Sequence, residues 1–302
     1  RVVQFVVPLA ITAGVFGWLG GAPQTSTQAG VTTTLWLQNA GFVFVPFIAA
    51  SAFAAWFGMN DIATMKASFA DQSVIFRRLH NWIMCWLYTG TFGSFIGFSA
   101  AFPLLSKILF PGVNALAYAF LGPLVGALAR ALAGKPCDRI GGARITVWVF
   151  VAMSIGTMGI LYAVGMKTDP TAFPVFFASF LFLFAASGVG NASTFQMIPA
   201  IMRKEVARLQ LGPAGSDPVK QSDKESAAII GFTSAVAAFG AFFIPKSFGT
   251  SIAATGGPEY ALYGFLAFYV SCIGITWWFY TRRGGLLFDA EHNGMTVPGP
   301  AT

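Results

Sequence analysis

Acidic residues are scarce in this chain, and histidine and cysteine are scarcer. Eleven Asp and Glu, two His and three Cys stand among 302 residues, and charged side chains make up 10% of the total. Soluble domains average about 25% charged. With 56% hydrophobic residues set against so little charge, a water-soluble globule is excluded. Cys85, Cys137 and Cys272 lie far apart and fit neither a metal pattern nor a disulfide framework. His80 falls in a polar connection and His292 in the C-terminal tail, so no histidine pair inside an apolar segment could ligate haem. No cofactor is called for. Alternating strands of about ten residues are also missing, which removes a transmembrane β-barrel.

What the chain has instead is apolar runs of roughly 20 residues, the length that crosses a bilayer core of about 30 Å as a helix. Eight such segments are read, at 2–22, 36–58, 81–103, 113–133, 145–165, 173–202, 227–245 and 260–280. The first, "RVVQFVVPLAITAGVFGWLGG", has little n-region and reads as a span rather than a cleaved leader. The chain begins at Arg1, and the expectation is a fragment whose N-terminal part is missing. The expected fold is an all-α polytopic membrane protein, with the lipid bilayer as its surroundings.

Lysine and arginine give the orientation. The connections 59–80, 134–144 and 203–226 and the C-terminal tail hold 13 of them, whereas the alternate connections hold three, Lys107, Lys167 and Lys246. That asymmetry places the first set, and the C-terminus, in the cytoplasm. The net charge of +7 is therefore a topology signal. No basic cluster is interleaved with exposed aromatics, so nucleic acid is not a partner. The organisation expected is two spans in 1–58, a central cytoplasmic loop at 59–80, six spans in 81–283 and a small, polar, disordered tail at 284–302. The stretch 203–226 reads as a surface loop with a short helix at its start.

None of the 11 acidic residues falls inside a span, so the chain offers no intramembrane carboxylate as a proton relay. Arg130, in "FLGPLVGALARALAG", is the one charge left within an apolar run. An arginine at a helix centre costs about 2.5–3.5 kcal/mol on insertion scales, and its guanidinium cannot be deprotonated. Two readings follow. Arg130 holds a small anion by bidentate hydrogen bonds, or it snorkels to the surface, since Lys135 is only five residues away. In "CWLYTGTFGSFIGFSAAF", Tyr88, Phe92 and Phe95 fall at i, i+4 and i+7 on one helical face. They would wall a small planar ligand, or face lipid and neighbouring helices. "SGVGNASTFQMIPAIM" gathers Asn191, Ser193, Thr194 and Gln196 within an apolar span, and 227–249 aligns Gly231, Ser234, Ala235, Ala238 and Gly240. Small residues and hydroxyls of this kind suit close helix packing.

"GKPCDRIGGAR" resembles the G-x-L-x-D-R-x-G-x-R loop signature of the major facilitator superfamily, with Gly134, Asp138, Arg139, Gly141 and Arg144 matching and Pro136 where Leu is usual. "AAWFGMNDIATMKAS", "TFGSFIGFSAAF", "GPLVGALAR", "STFQMI" and "GFTSAVAAFGAFFIPKSFG" together resemble the nitrate/nitrite porters of that superfamily, over essentially the whole chain to about Arg283. The resemblance implies a twelve-span fold in two pseudo-symmetric halves. This chain would cover part of span five through span twelve, about eight spans. It implies that Arg130 is the second-half arginine that holds the anion, Tyr88 the pocket tyrosine and Phe92 a pocket wall. Gly231, Ser234 and Gly240 would belong to the second nitrate signature, with Asn191 and Phe195 as further binding residues. The implied activity is non-enzymatic exchange of nitrate and nitrite by alternating access in a bacterial inner membrane, by a monomer once both halves are present. Proton-coupled nitrate symport, and a carrier or passive channel for another small anion, stay open.

Overall fold

The computed structural model describes residues 24–28, 31–35, 44–58, 72–114, 117–166, 169–209 and 218–288. The first expected span, 2–22, and His292 lie outside the described residues. The chain divides into two compact units, 1–67 and 68–302, so the division falls inside the connection read at 59–80.

In the first unit, β1 (Gln24–Gln28) and β2 (Val31–Leu35) pair antiparallel, Gln24 opposite Leu35 and Gln28 opposite Val31. The threonine-rich strands "QTSTQ" and "VTTTL" suit an extended backbone because Thr is branched at Cβ. This hairpin is the one departure from an all-helical reading. Helix α1 (Phe44–Gly58) carries the described part of the second expected span.

The second unit is a bundle. Helix α2 runs Leu79–Leu109 and contains a five-residue π turn at Thr89–Gly93. It is followed by α3 (Leu121–Ile140), α4 (Gly142–Gly165), α5 (Ala172–Leu209), α6 (Pro218–Ala238), α7 (Gly240–Thr255) and α8 (Glu259–Thr276), which ends in a second π turn at Trp277–Thr281. Helices α6 and α7 are nearly collinear parts of one 38-residue segment. They join through tight bonds from Phe239 N–H to the Val236 carbonyl and from Phe242 N–H to the Phe239 carbonyl. Five of the helical segments are long and apolar enough to cross a membrane, so this is a multi-pass membrane protein.

Several expected boundaries move. The span read at 113–133 lies at Leu121–Ile140. The signature stretch 134–144 is therefore mostly helix, and its turn is the single residue Gly141, at φ 102°, a conformation that favours glycine. Much of the stretch read as a surface loop at 203–226 is helix, because α5 runs on to Leu209 and α6 begins at Pro218. Glu205 and Glu225 thus lie inside helices and are buried, which corrects their placement in a surface loop. The tail is ordered for a few residues past Gly284: Leu287 is buried, and the Leu286 N–H bonds the Phe279 carbonyl at 2.9 Å.

Helix α5 is the hub, packed against α3, α4, α6 and the π turn of α2, while α4 packs on α8 and α7 on α2. Phenylalanines interlock at the end away from most of the arginines. Phe180 meets Phe176, Phe102 and Phe98 at 4.8, 5.2 and 5.8 Å, and Phe265 meets Phe248 at 5.2 Å, mostly edge to face. Two pairs of glycines bring backbones together. A Cβ on Gly188 would strike the Gly126 carbonyl, and one on Gly240 would strike the Gly93 carbonyl, close approaches that glycine alone permits. Outward-facing aromatics collect at the two ends, with Trp82, Trp277 and Trp278 at one and Tyr162, Tyr260 and Tyr263 at the other, as amphipathic rings do at the headgroup level.

Candidate functional site

The site forms where the middle of α2 meets α3, α5 and α6. Tyr88 closes the regular first stretch of α2, just before the π turn. Such turns insert one extra residue and recur at functional positions. The Tyr88 hydroxyl donates to Asn191 Oδ1 of α5 at 2.9 Å. Ser234 of α6 and the Arg130 guanidinium of α3 both lie near enough to act electrostatically on the phenol. Phe92 stacks on the Tyr88 ring with centroids 5.2 Å apart and planes 20° apart. Five of the expected residues, Arg130, Tyr88, Phe92, Asn191 and Ser234, therefore come together.

The burial around them is graded. Tyr88 and Asn191 are 3% and 2% exposed, whereas the Arg130 side chain is exposed. Among the described residues Arg130 has no ion-pair partner. A planar, always-charged fork left without a carboxylate, beside a phenol and a hydroxyl, is chemically suited to a small oxyanion.

The other three expected residues have different surroundings. Gly240 belongs to the packing contact with Gly93. Gly231 has open space within 4 Å of where its Cβ would stand. Phe195, one turn beyond Asn191, is 40% exposed. Phe95 meets the same two helices as Tyr88, packing edge-on against Phe184 of α5 at 6.0 Å and lying over Gly126 of α3.

The polar run on α5 resolves into four bonds, two to α2 and one each to α3 and α4. Asn191 reaches Tyr88 on α2, Ser193 reaches Thr146 on α4 at 2.8 Å, Thr194 reaches Thr91 on α2 at 3.0 Å, and Gln196 donates to Asp138 on α3 at 2.7 Å. Only the partner helices could tell Asn191 from its neighbours. Asn191→Leu should lower the apparent Tm by leaving a buried hydroxyl unpaired, a cost of about 1–3 kcal/mol. Adding Tyr88→Phe should recover most of that loss, a coupling that a double-mutant cycle of thermal unfolding in detergent measures.

A second polar cluster escaped sequence reading. Arg78, just ahead of α2, donates Nε and Nη2 to the two oxygens of Glu225 on α6, at 2.8 and 2.9 Å. That hydrogen bonding raises the Arg78 guanidinium above its ordinary range, and burial opposes the shift. His80, expected in a loop, lies in the first turn of α2 with Nδ1 2.9 Å from the Tyr280 hydroxyl.

No family model matches the chain. Similar proteins are more informative. The chain is 44% identical over 286 residues to the nitrate/nitrite transporter NarU of Salmonella typhimurium, and equally to NarU of Escherichia coli strain K12. It is 41% identical over 291 residues to the probable nitrate/nitrite antiporter NarK2 of Thermus thermophilus. These matches take in 93% and 94% of this chain but 61% and 60% of the relatives, so the chain spans about three-fifths of their length. Along nearly all of its own residues the chain is thus more than 40% identical to proteins named as nitrate/nitrite transporters and antiporters, and among the described residues it is a helical membrane bundle in which an arginine without an ion-pair partner lies on a helix beside a buried tyrosine.

Proposed function

We propose that this chain supplies the larger part of a carrier that exchanges nitrate and nitrite across a bacterial inner membrane, with the Arg- and Lys-rich ends and the C-terminus in the cytoplasm. The observation that carries the reading is the meeting of Arg130, Tyr88, Asn191 and Ser234 on four different positions of three neighbouring helices and α2. Arg130 supplies charge and a planar fork, Tyr88 and Ser234 supply hydroxyls, and Phe92 is a flat wall for a flat anion. Binding is non-covalent, and the protein is a transporter rather than an enzyme. The relatives' names, nitrate/nitrite transporter and nitrate/nitrite antiporter, support the same substrates.

Exchange follows from the charge. An empty site leaves the Arg130 charge without a counter-anion within an apolar span, so return without cargo is disfavoured. Proton-coupled uptake is the second reading, favoured by the buried carboxyl of Glu205. Labelled nitrate uptake by the complete protein in proteoliposomes separates them. Uptake only into nitrite-loaded vesicles, with no pH gradient able to drive it into empty ones, is the result expected of an exchanger. Uptake into empty vesicles driven by the gradient would overturn exchange in favour of symport, and gradient-independent flux into empty vesicles would mean a channel.

A further inference from the structure

The end of the bundle richest in Arg and Lys holds a buried carboxyl outside the anion site. Glu205 of α5 is 8% exposed, and its Oε2 is buried with no hydrogen-bond partner. Arg78, Glu225 and Tyr280 are within electrostatic reach of it. Each cation nearby is engaged elsewhere. Arg78 forks Glu225, which also accepts from Gln221 Nε2 at 2.8 Å. Lys204 Nζ bonds the Leu286 carbonyl at 3.0 Å, Arg203 Nη2 lies 3.4 Å from Asp223, and Arg208 is exposed and acts on His80. From α8 the facing titratable group is Tyr280, already joined to His80 Nδ1, and Arg282 beyond it stacks on Trp278. Asp138 and the other charged groups at the α3–α4 corner are remote. Asp138 bonds Gln196, nine residues and about 13 Å up α5 from Glu205.

A buried carboxylate with an oxygen that lacks a donor, and with its nearest cations engaged by other groups, is costly by several kcal/mol, and protonation removes the cost. We propose that Glu205 is a proton-binding site, and that its proton decides whether Arg78 stays on Glu225. With the proton bound, Glu205 is neutral and Arg78 forks Glu225. When the Glu205 O–H breaks, its electron pair stays on the carboxylate and the proton passes to water at that face. Two carboxylates then compete for one guanidinium.

The consequence reaches the anion site, and here the proposal rests on the carrier reading. Arg78 lies ten residues before Tyr88 on α2, and Glu225 nine before Ser234 on α6, about 15 and 13 Å along the two helices. The ion pair joins the feet of the same two helices whose middles meet at Tyr88 and Ser234. Drawing Arg78 toward Glu205 loosens that joint and lets the two walls of the site splay. The proton is thus a ligand that sets how readily the site changes shape.

The test follows nitrate–nitrite exchange by the complete protein in proteoliposomes from about pH 5 to about 8 on the Arg- and Lys-rich side. Wild-type exchange should change by about fivefold or more, the effect of roughly 1 kcal/mol. Glu205→Gln should flatten the profile, and Glu205→Asp should keep it. A Glu205→Gln profile that overlays the wild type, or a flat wild-type profile, overturns the proposal. Apparent Tm in detergent gives a readout that needs no transport. A native state that holds the proton loses stability as pH rises, so wild-type Tm should fall over that range and Glu205→Gln should not follow it. If the wild type moves no nitrate at any pH, the carrier reading fails while the Tm comparison still decides Glu205. Glu205→Met replaces Glu205→Gln in both assays if the latter does not insert.

Discussion

Replacing Arg130 by lysine should cut kcat/KM for nitrate by about a hundredfold, equivalent to about 2.7 kcal/mol of transition-state binding, and should leave insertion and apparent Tm unchanged. The two halves of that expectation come from different observations. The side chain is exposed and has no ion-pair partner among the described residues, so lysine breaks no structural pair. Its charge nonetheless acts on the Tyr88 phenol, which puts the guanidinium beside the one donor that could complete an anion site with it. Lysine keeps the charge but replaces a planar fork with a point, which is not a conservative change where two oxygens are held at once. Transport near wild type in Arg130→Lys would show that the arginine only snorkels to the surface.

Gly188→Ala should be the most damaging single methyl in the bundle. The added Cβ would meet the backbone carbonyl of Gly126, and backbone cannot swing aside as a side chain can. Helix α3 must move away from α5, at an overpacking cost of about 1–3 kcal/mol. Arg130 stands one turn beyond Gly126 on the same helix, so the shift carries the arginine with it. A displacement of about 1 Å at a binding group costs on the order of a hundredfold in rate. The controls are Gly249→Ala and Gly264→Ala, where the new methyl meets nothing within 4 Å. These should be neutral, or slightly stabilising through helix propensity. Equal apparent Tm and equal transport for Gly188→Ala and Gly264→Ala would refute the close α3–α5 contact.

The helices themselves were legible because lipid demands long apolar runs, and lipid leaves little room for other solutions. Arg130 was legible for the same reason, as a charge where charge is expensive. The boundaries were not. The charged stretch 203–226 looked like solvent-exposed loop, yet "RKEVARL" is made of good helix formers, and Asp-Pro at 217–218 is a helix-start signal. Glu225 is buried where Arg78, well over a hundred residues earlier, comes to meet it, and no local pattern announces such a pairing. Within the site, periodicity joined Tyr88 to Phe92, on which it stacks, and to Phe95, which meets the same two helices, α3 and α5, whereas the widening of the helix across "TGTFG" had no sequence signal. The roles of Gly231 and Gly240 could not be separated by composition either. One has open space and the other a carbonyl against it, a difference set by the neighbouring helix.

The widened turn at Thr89–Gly93 has a consequence for how this site can be inherited. It is a matter of chain length rather than of side-chain identity. Exchanging Thr89, Thr91 or Phe92 would leave the extra residue in place, while Gly90 and Gly93 are also fixed by close contacts with Phe150 and Ala237. Remove one residue, and the helix closes to its ordinary pitch, turning everything before it by about 100° relative to everything after it. Tyr88 would then leave Asn191, and Arg78 would leave Glu225, while Phe98 and Phe102 stayed in place. The anion site and the proton latch are in this sense one inheritance, written as a single added position and intolerant of a lost letter.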